Sequence, residues 1–255
     1  MNEQLKKLYE KEFDKKILKS KFTQEEIEKI SAPFLLSIEE EKYLQAKTKI
    51  LYIGKETNKW WGKLKHFIEF DNSIDILRQR YRVEFDGGKV LASNKKGNGD
   101  GYTSYKKEDW ASNAFFSKFN YIKNNTKDLD SYVIWTELLK CDSGAKGSSR
   151  NSNHIEEVVE ISKRVLKREI DILKPDFIVF VTATSQNTKE YDDIIKEVLE
   201  GYKTEKGSLI KGKYWKFTYD NIICYRTQHP LSYQFSKNKT IDFYEKIVHD
   251  IKYNS

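Results

Sequence analysis

Four short stretches of nearly continuous apolar residues punctuate this chain: Lys49–Ile53, Tyr132–Thr136, Phe177–Val181 and Ile222–Tyr225. Runs of this length without polar alternation suit strands buried on both faces, as in a parallel sheet. Tyr214–Tyr219 is a candidate additional strand between the third and fourth. Elsewhere the period lengthens. Ile155, Val158, Val159, Ser162, Val165, Leu166, Ile170 and Leu173 follow a 3.6-residue repeat, and Lys174-Pro175-Asp176 closes that helix. Tyr191–Leu199 predicts a shorter helix, and Ile241, Tyr244, Ile247, Val248 and Ile251 mark a last one. Residues 1–45 are highly charged and predict helices; Thr23-Gln24-Glu25-Glu26 has capping-box spacing before Ile27, and Pro33 ends that segment.

Strands alternating with helices predict an α/β fold, a three-layer sandwich around a parallel-rich four-stranded sheet. The expected organisation is an N-terminal helical extension over 1–45, then one α/β domain over 46–255. A long insertion at about 70–110 interrupts that domain and contains Gly97-Asn98-Gly99-Asp100-Gly101. Long polar loops in compact domains are more often functional than accidental. No internal repeat is present.

Composition narrows the class. At 255 residues the chain can bury one sizeable core, and two cysteines cannot make an all-cysteine zinc or iron–sulfur site. No apolar run approaches the roughly 20 residues of a membrane span, and the start lacks a signal peptide's apolar stretch. A soluble, cytoplasmic protein without membrane contact is expected. Aromatic residues make up 14% of a chain whose net charge is +7. Cations for phosphates and rings for bases suit a nucleic-acid partner.

The position of the charge strengthens that reading. Gly87–Lys107 carries five lysines against Asp100. Lys140–Arg150 holds Lys140, Lys146 and Arg150 against Asp142, and Ser232–Lys239 holds Lys237 and Lys239 with no acid. Together these segments carry +8, so the remainder nets −1. All three are rich in Gly, Ser or Asn, so the positive excess belongs to loops.

Ligands of open α/β sheets bind beyond the carboxyl ends of the strands. There the chain has Gly54-Lys55-Glu56-Thr57-Asn58-Lys59-Trp60-Trp61, Thr136-Glu137-Leu138-Leu139-Lys140-Cys141, Thr182-Ala183-Thr184-Ser185 and Thr227-Gln228-His229-Pro230-Leu231-Ser232. Each polar residue also has a structural use: Glu56, Glu137, Thr184 and Ser185 can cap helices, and His229 can bond loop backbone. Their convergence on one rim favours a site.

These segments resemble the uracil-DNA glycosylase superfamily. Gly54-Lys55-Glu56-Thr57-Asn58-Lys59 is similar to its G-Q-D-P-Y-H, and His229-Pro230-Leu231-Ser232 to its H-P-S-P-L-S. Thr136-Glu137-Leu138-Leu139-Lys140-Cys141 resembles the T-N-V-V-K-C of an iron–sulfur branch, and Leu173-Lys174-Pro175-Asp176 the stretch before the family's third strand. The resemblance covers about residues 48–250, in short and altered motifs. It implies that Glu56 stabilises an oxocarbenium-like sugar and positions water, while His229 donates to the leaving base. Leu231 takes the place of the wedge that fills the gap left by a flipped nucleotide, and Ser232 follows it on the DNA. Cys141 matches a cluster ligand whose companions are missing, so no cofactor or metal is expected. Lys146, Arg150, Lys237 and Lys239 are the expected DNA-contacting cations. The partner is DNA, a duplex with one flipped nucleotide, bound by a monomer.

Departures from the family pattern point to the base. The asparagine that reads the uracil edge is replaced by Glu137, whose ionised carboxylate only accepts hydrogen bonds. Cytosine offers an amine donor at that edge, whereas uracil offers a carbonyl. The tyrosine that blocks substituents at the base 5-position is replaced by Asn58. Both changes favour a modified cytosine, and one branch of the superfamily removes glucosylated hydroxymethylcytosine in phage defence. Trp60, Trp61, Phe115 and Phe116, with Trp110 behind them, are candidate platforms for the base. Two other functions fit the same residues: ordinary uracil repair with Glu137 turned away from the base, and a DNA-binding module without catalysis. A nucleotide-binding protein fits less well, because no Gly-rich phosphate loop follows the first strand.

Overall fold

The computed structural model describes residues 1–57, 62–85, 114–144, 152, 155–184, 188–231 and 243–255. They fall into two compact units. The first comprises Met1–Ile38, Glu56–Glu108 and Glu137–Ile172; the second comprises Glu39–Lys55, Asp109–Thr136 and Leu173–Ser255.

The fold is α/β around a mixed six-stranded sheet, with strands β1 (Thr48–Glu56), β2 (Ser131–Leu139), β3 (Phe177–Ala183), β4 (Lys203–Ile210), β5 (Tyr214–Tyr219) and β6 (Ile222–Gln228). Their order is β2-β1-β3-β6-β5-β4. The four expected strands are consecutive neighbours, and β1, β3 and β6 run parallel. All seven residues of β3 are buried, as its unbroken apolar run requires. The expectation of a four-stranded sheet is corrected to six, because β5 and β4 add antiparallel strands beyond β6. β4 has no apolar run to announce it. It is an exposed edge strand, its register shifts between Thr204 and Leu209, and Gly207 in that interval has φ +77°. Such a bulge and its charges blunt a sheet edge.

In the first unit, helices α1 (Asn2–Glu12), α2 (Lys15–Lys21) and α3 (Gln24–Lys29) open the chain. The Thr23–Glu26 capping box forms in both directions at the start of α3. After α4 (Glu40–Gln45), which belongs to the second unit, α5 (Leu64–Glu69) and α6 (Ser73–Phe85) return to the first. α6 corrects the picture of 70–110 as loop throughout: Leu77 and Tyr81 are buried one turn apart, and Arg80 beside them is buried too. Helix α8 (Glu156–Leu173) ends where Lys174-Pro175 stops it, after α7 (Ala114–Asn125) in the second unit. Its stripe of Val158, Ile161, Val165, Leu166, Ile170 and Leu173 is buried. Each such side chain contributes about 1.5–3 kcal/mol relative to exposure. In the second unit α9 (Thr188–Val198) packs against β3, and α10 (Phe243–Asn254) against β6 and α7.

Candidate functional site

Each of the four expected strands runs further toward its carboxyl end than its apolar run, to Glu56, Leu139, Ala183 and Gln228. Glu56 and Glu137 are therefore strand residues rather than helix caps. Because β1, β3 and β6 are parallel, their carboxyl ends form one edge of the sheet, where ligands of this fold class bind.

In the second unit that edge carries His229. Its backbone N–H donates to the Ala183 carbonyl at 2.7 Å, continuing the parallel ladder past the end of β6. Its Nδ1 accepts from the Leu231 backbone N–H at 3.3 Å. An imidazole accepting at Nδ1 carries its proton at Nε2, so the ring is neutral with Nε2–H as donor. Burial, helped by the charge of Lys55, pushes its pKa down to about 4. At neutral pH His229 is thus a hydrogen-bond donor and not an imidazolium acid.

Aromatic rings surround it. Phe115 lies 6.2 Å from the imidazole at an interplanar angle of 30°. Phe115 in turn meets Tyr52 at 5.2 Å and Trp135 at 5.5 Å edge-to-face, and Phe116 meets Trp135 at 5.1 Å. Phe115 is thereby fixed in orientation by β1 and β2, with part of its surface still exposed. Leu231, the expected wedge, is 49% exposed two residues beyond His229. Among the expected residues, the structure brings together His229, Phe115 and Leu231.

The first unit carries the carboxylates. Glu56 accepts the backbone N–H of Ser152 at 2.8 Å on Oε2. The next residue, Thr57, donates its hydroxyl to Asp142 Oδ2 at 2.8 Å, and Asp142 Oδ1 accepts the Gly144 N–H at 2.9 Å. Ser31 completes the cluster, its Oγ accepting the Asp142 N–H at 2.9 Å and lying 3.3 Å from Thr57 Oγ1. Gly144 has φ +67°, and a Cβ there would come 1.8 Å from the Lys29 carbonyl oxygen, so the turn after Asp142 admits glycine alone. The chain on both sides of Glu56 is pinned.

Glu137 is 4% exposed near the end of β2. Just beyond it Lys140 is fully buried, its Nζ 2.6 Å from Glu169 Oε2 of α8. Tyr9 donates to Glu169 Oε1 at 2.8 Å and accepts the Leu36 N–H at 3.2 Å. The backbone of Lys140 is held as well, its N–H by Ser162 Oγ at 2.8 Å and its carbonyl by the Phe34 N–H at 2.6 Å. Ser162 interrupts the apolar stripe of α8 for that contact. Desolvation lowers the Lys140 pKa, against the attraction of Glu169 and Glu137. Cys141 is buried and its thiol is pushed up by burial, so it is an inert thiol.

Asn58, Trp60, Trp61, Trp110, Lys146, Arg150, Ser232, Lys237 and Lys239 lie outside the described residues. So do Ser185 and the basic stretch Gly87–Lys107. Sequence reasoning missed Asp142, Thr57 and Lys55. Asp142-Ser143-Gly144 after a strand was the available signal for the first, being a turn sequence in which the aspartate bonds its own backbone. Among the described residues no three His, Cys, Asp or Glu side chains are grouped to hold a metal ion. Among them, no helix is long and apolar enough to cross a membrane. Compared with known proteins, the chain matches no family profile and no curated sequence.

Proposed function

We propose that the chain is a monofunctional DNA glycosylase of the uracil-DNA glycosylase type, acting on a modified cytosine such as glucosylated hydroxymethylcytosine in defence against phage. The observation that carries this reading is His229: a neutral imidazole with its proton on Nε2, beside the aromatic face of Phe115, at the carboxyl edge of a parallel sheet. A base stacked on Phe115 would present its O2 carbonyl to that N–H.

In the proposed reaction the bond between C1′ and the base nitrogen breaks first, its electron pair leaving with the base. The negative charge gathers on the ring and O2, where the His229 N–H donates without transferring its proton. The sugar becomes oxocarbenium-like, stabilised by the Glu56 carboxylate, which accepts the proton of the water that attacks C1′. The products are a 1′-hydroxyl abasic site and the base, protonated by solvent. Glu137 accepts from the exocyclic amine of cytosine, and its burial makes the wrong partner, a carbonyl, costly. Leu231 fills the stack, and the basic loops carry the phosphates.

Duplexes containing uracil, hydroxymethylcytosine or glucosylated hydroxymethylcytosine test the reading directly. Abasic sites are expected in the glucosylated DNA. Excision of uracil alone would move the assignment to repair. Salt-sensitive binding with no base released from any duplex would leave a binding module.

A further inference from the structure

Lys55 is the penultimate residue of β1. It alternates with Tyr52 and so leaves the opposite face of the sheet, toward α9. Its Nζ lies 5.3 Å from the ring centroid of Tyr191, a fully buried residue of α9. An ammonium over a tyrosine face is held by the ring quadrupole, so the charge has a seat. The parallel pairing Ile53↔Phe180↔Arg226 carries this end of β1 across β3 to the end of β6, where His229 follows. Lys55 is the charged group that acts on the imidazole, disfavouring its protonation.

The other charges on elements around His229 are otherwise occupied. Arg226 and Asp192 of α9 form a 2.8 Å ion pair that offsets itself. Lys118 of α7 lies 4.8 Å over the Tyr244 ring, and Tyr244 donates to the Gln228 carbonyl at 2.7 Å. A permanent cation beside a ring already neutral through burial adds nothing to folding. It is useful where negative charge arrives.

We propose that Lys55 is the second positive pole of the His229 site, its ammonium seated on Tyr191 to stabilise an anionic pyrimidine held at the imidazole N–H. On the base-excision reading, that anion is the departing base. The inference deepens that reading, and its test needs no turnover.

The probe is 5-nitrouracil, a pyrimidine that is an anion at neutral pH, with neutral uracil as control; NMR follows binding and the His229 titration. The wild-type protein is expected to bind the anion about tenfold more tightly than uracil. Lys55→Gln loses that preference and raises the His229 pKa by roughly one unit, whereas Lys55→Arg keeps both. Equal binding of the two pyrimidines by the wild type, or a Lys55→Gln protein with unchanged preference and titration, overturns the proposal. Anion preference with no base released from any duplex supports the Lys55 site and removes the glycosylase reading instead.

Discussion

Replacing Glu169 by leucine removes the acceptor that Lys140 and Tyr9 share, at 2.6 and 2.8 Å, in a place with no access to water. The ammonium and the phenol hydroxyl then stand buried without the carboxylate. Breaking one side of such a pair costs about 3–5 kcal/mol, a large part of a domain's stability. Lys140→Met alone leaves a buried carboxylate bonded only by Tyr9 and costs a similar amount. The double variant Lys140→Met with Glu169→Leu removes both charges, keeps the volume, and is expected within about 2 kcal/mol of the wild type. Urea unfolding of the four proteins closes a double-mutant cycle with a coupling of several kcal/mol. Single variants costing under about 1 kcal/mol, or costs that simply add, would refute the reasoning that this pair is a desolvated, mutually dependent unit.

Two further predictions concern the site. The folded pKa of His229, about 4, lies below its unfolded value near 6.5, so the unfolded state binds the extra proton between them. Stability from this group is full above pH 6.5 and falls as the pH drops toward 4, by about 3 kcal/mol at most; His229→Gln should flatten that limb of an acid-denaturation curve. Asp142→Ala removes the acceptor of Thr57 Oγ1 and the Gly144 N–H, both buried or partly buried, and should cost about 2–3 kcal/mol in urea unfolding. It should also lower base-excision rate more than affinity, because Thr57 adjoins Glu56; an unchanged rate would detach Asp142 from the site.

The core of the fold was legible because burial on both faces writes itself as apolar runs. Phe177–Val181 could be little other than an inner strand, and Lys174-Pro175 could only stop a helix. β4 was illegible for the converse reason: an edge strand meets water on its free side, so Lys203–Ile210 carries no pattern that separates it from loop. Strand ends were misjudged because polar residues that continue the ladder resemble the loop beyond a strand, as with Glu56, Glu137 and Gln228. Glu169 sits on the apolar stripe of α8 between Leu166 and Ile170, and a charge there signals a buried partner. That signal was readable, but its partners Lys140 and Tyr9 are distant in sequence. His229 and Phe115 could be picked from motif and composition; the Nε2–H tautomer depends on the Leu231 N–H and needed three dimensions.

The central claim is that this chain cuts the glycosidic bond of a modified cytosine with Glu56 and His229. Mass spectrometry of bases released from DNA containing glucosylated hydroxymethylcytosine tests it most directly. The account predicts release of the free glucosylated base with one abasic site per base, and a loss of roughly 10²-fold or more in Glu56→Ala. No released base from that DNA, or release undiminished in Glu56→Ala, would contradict it.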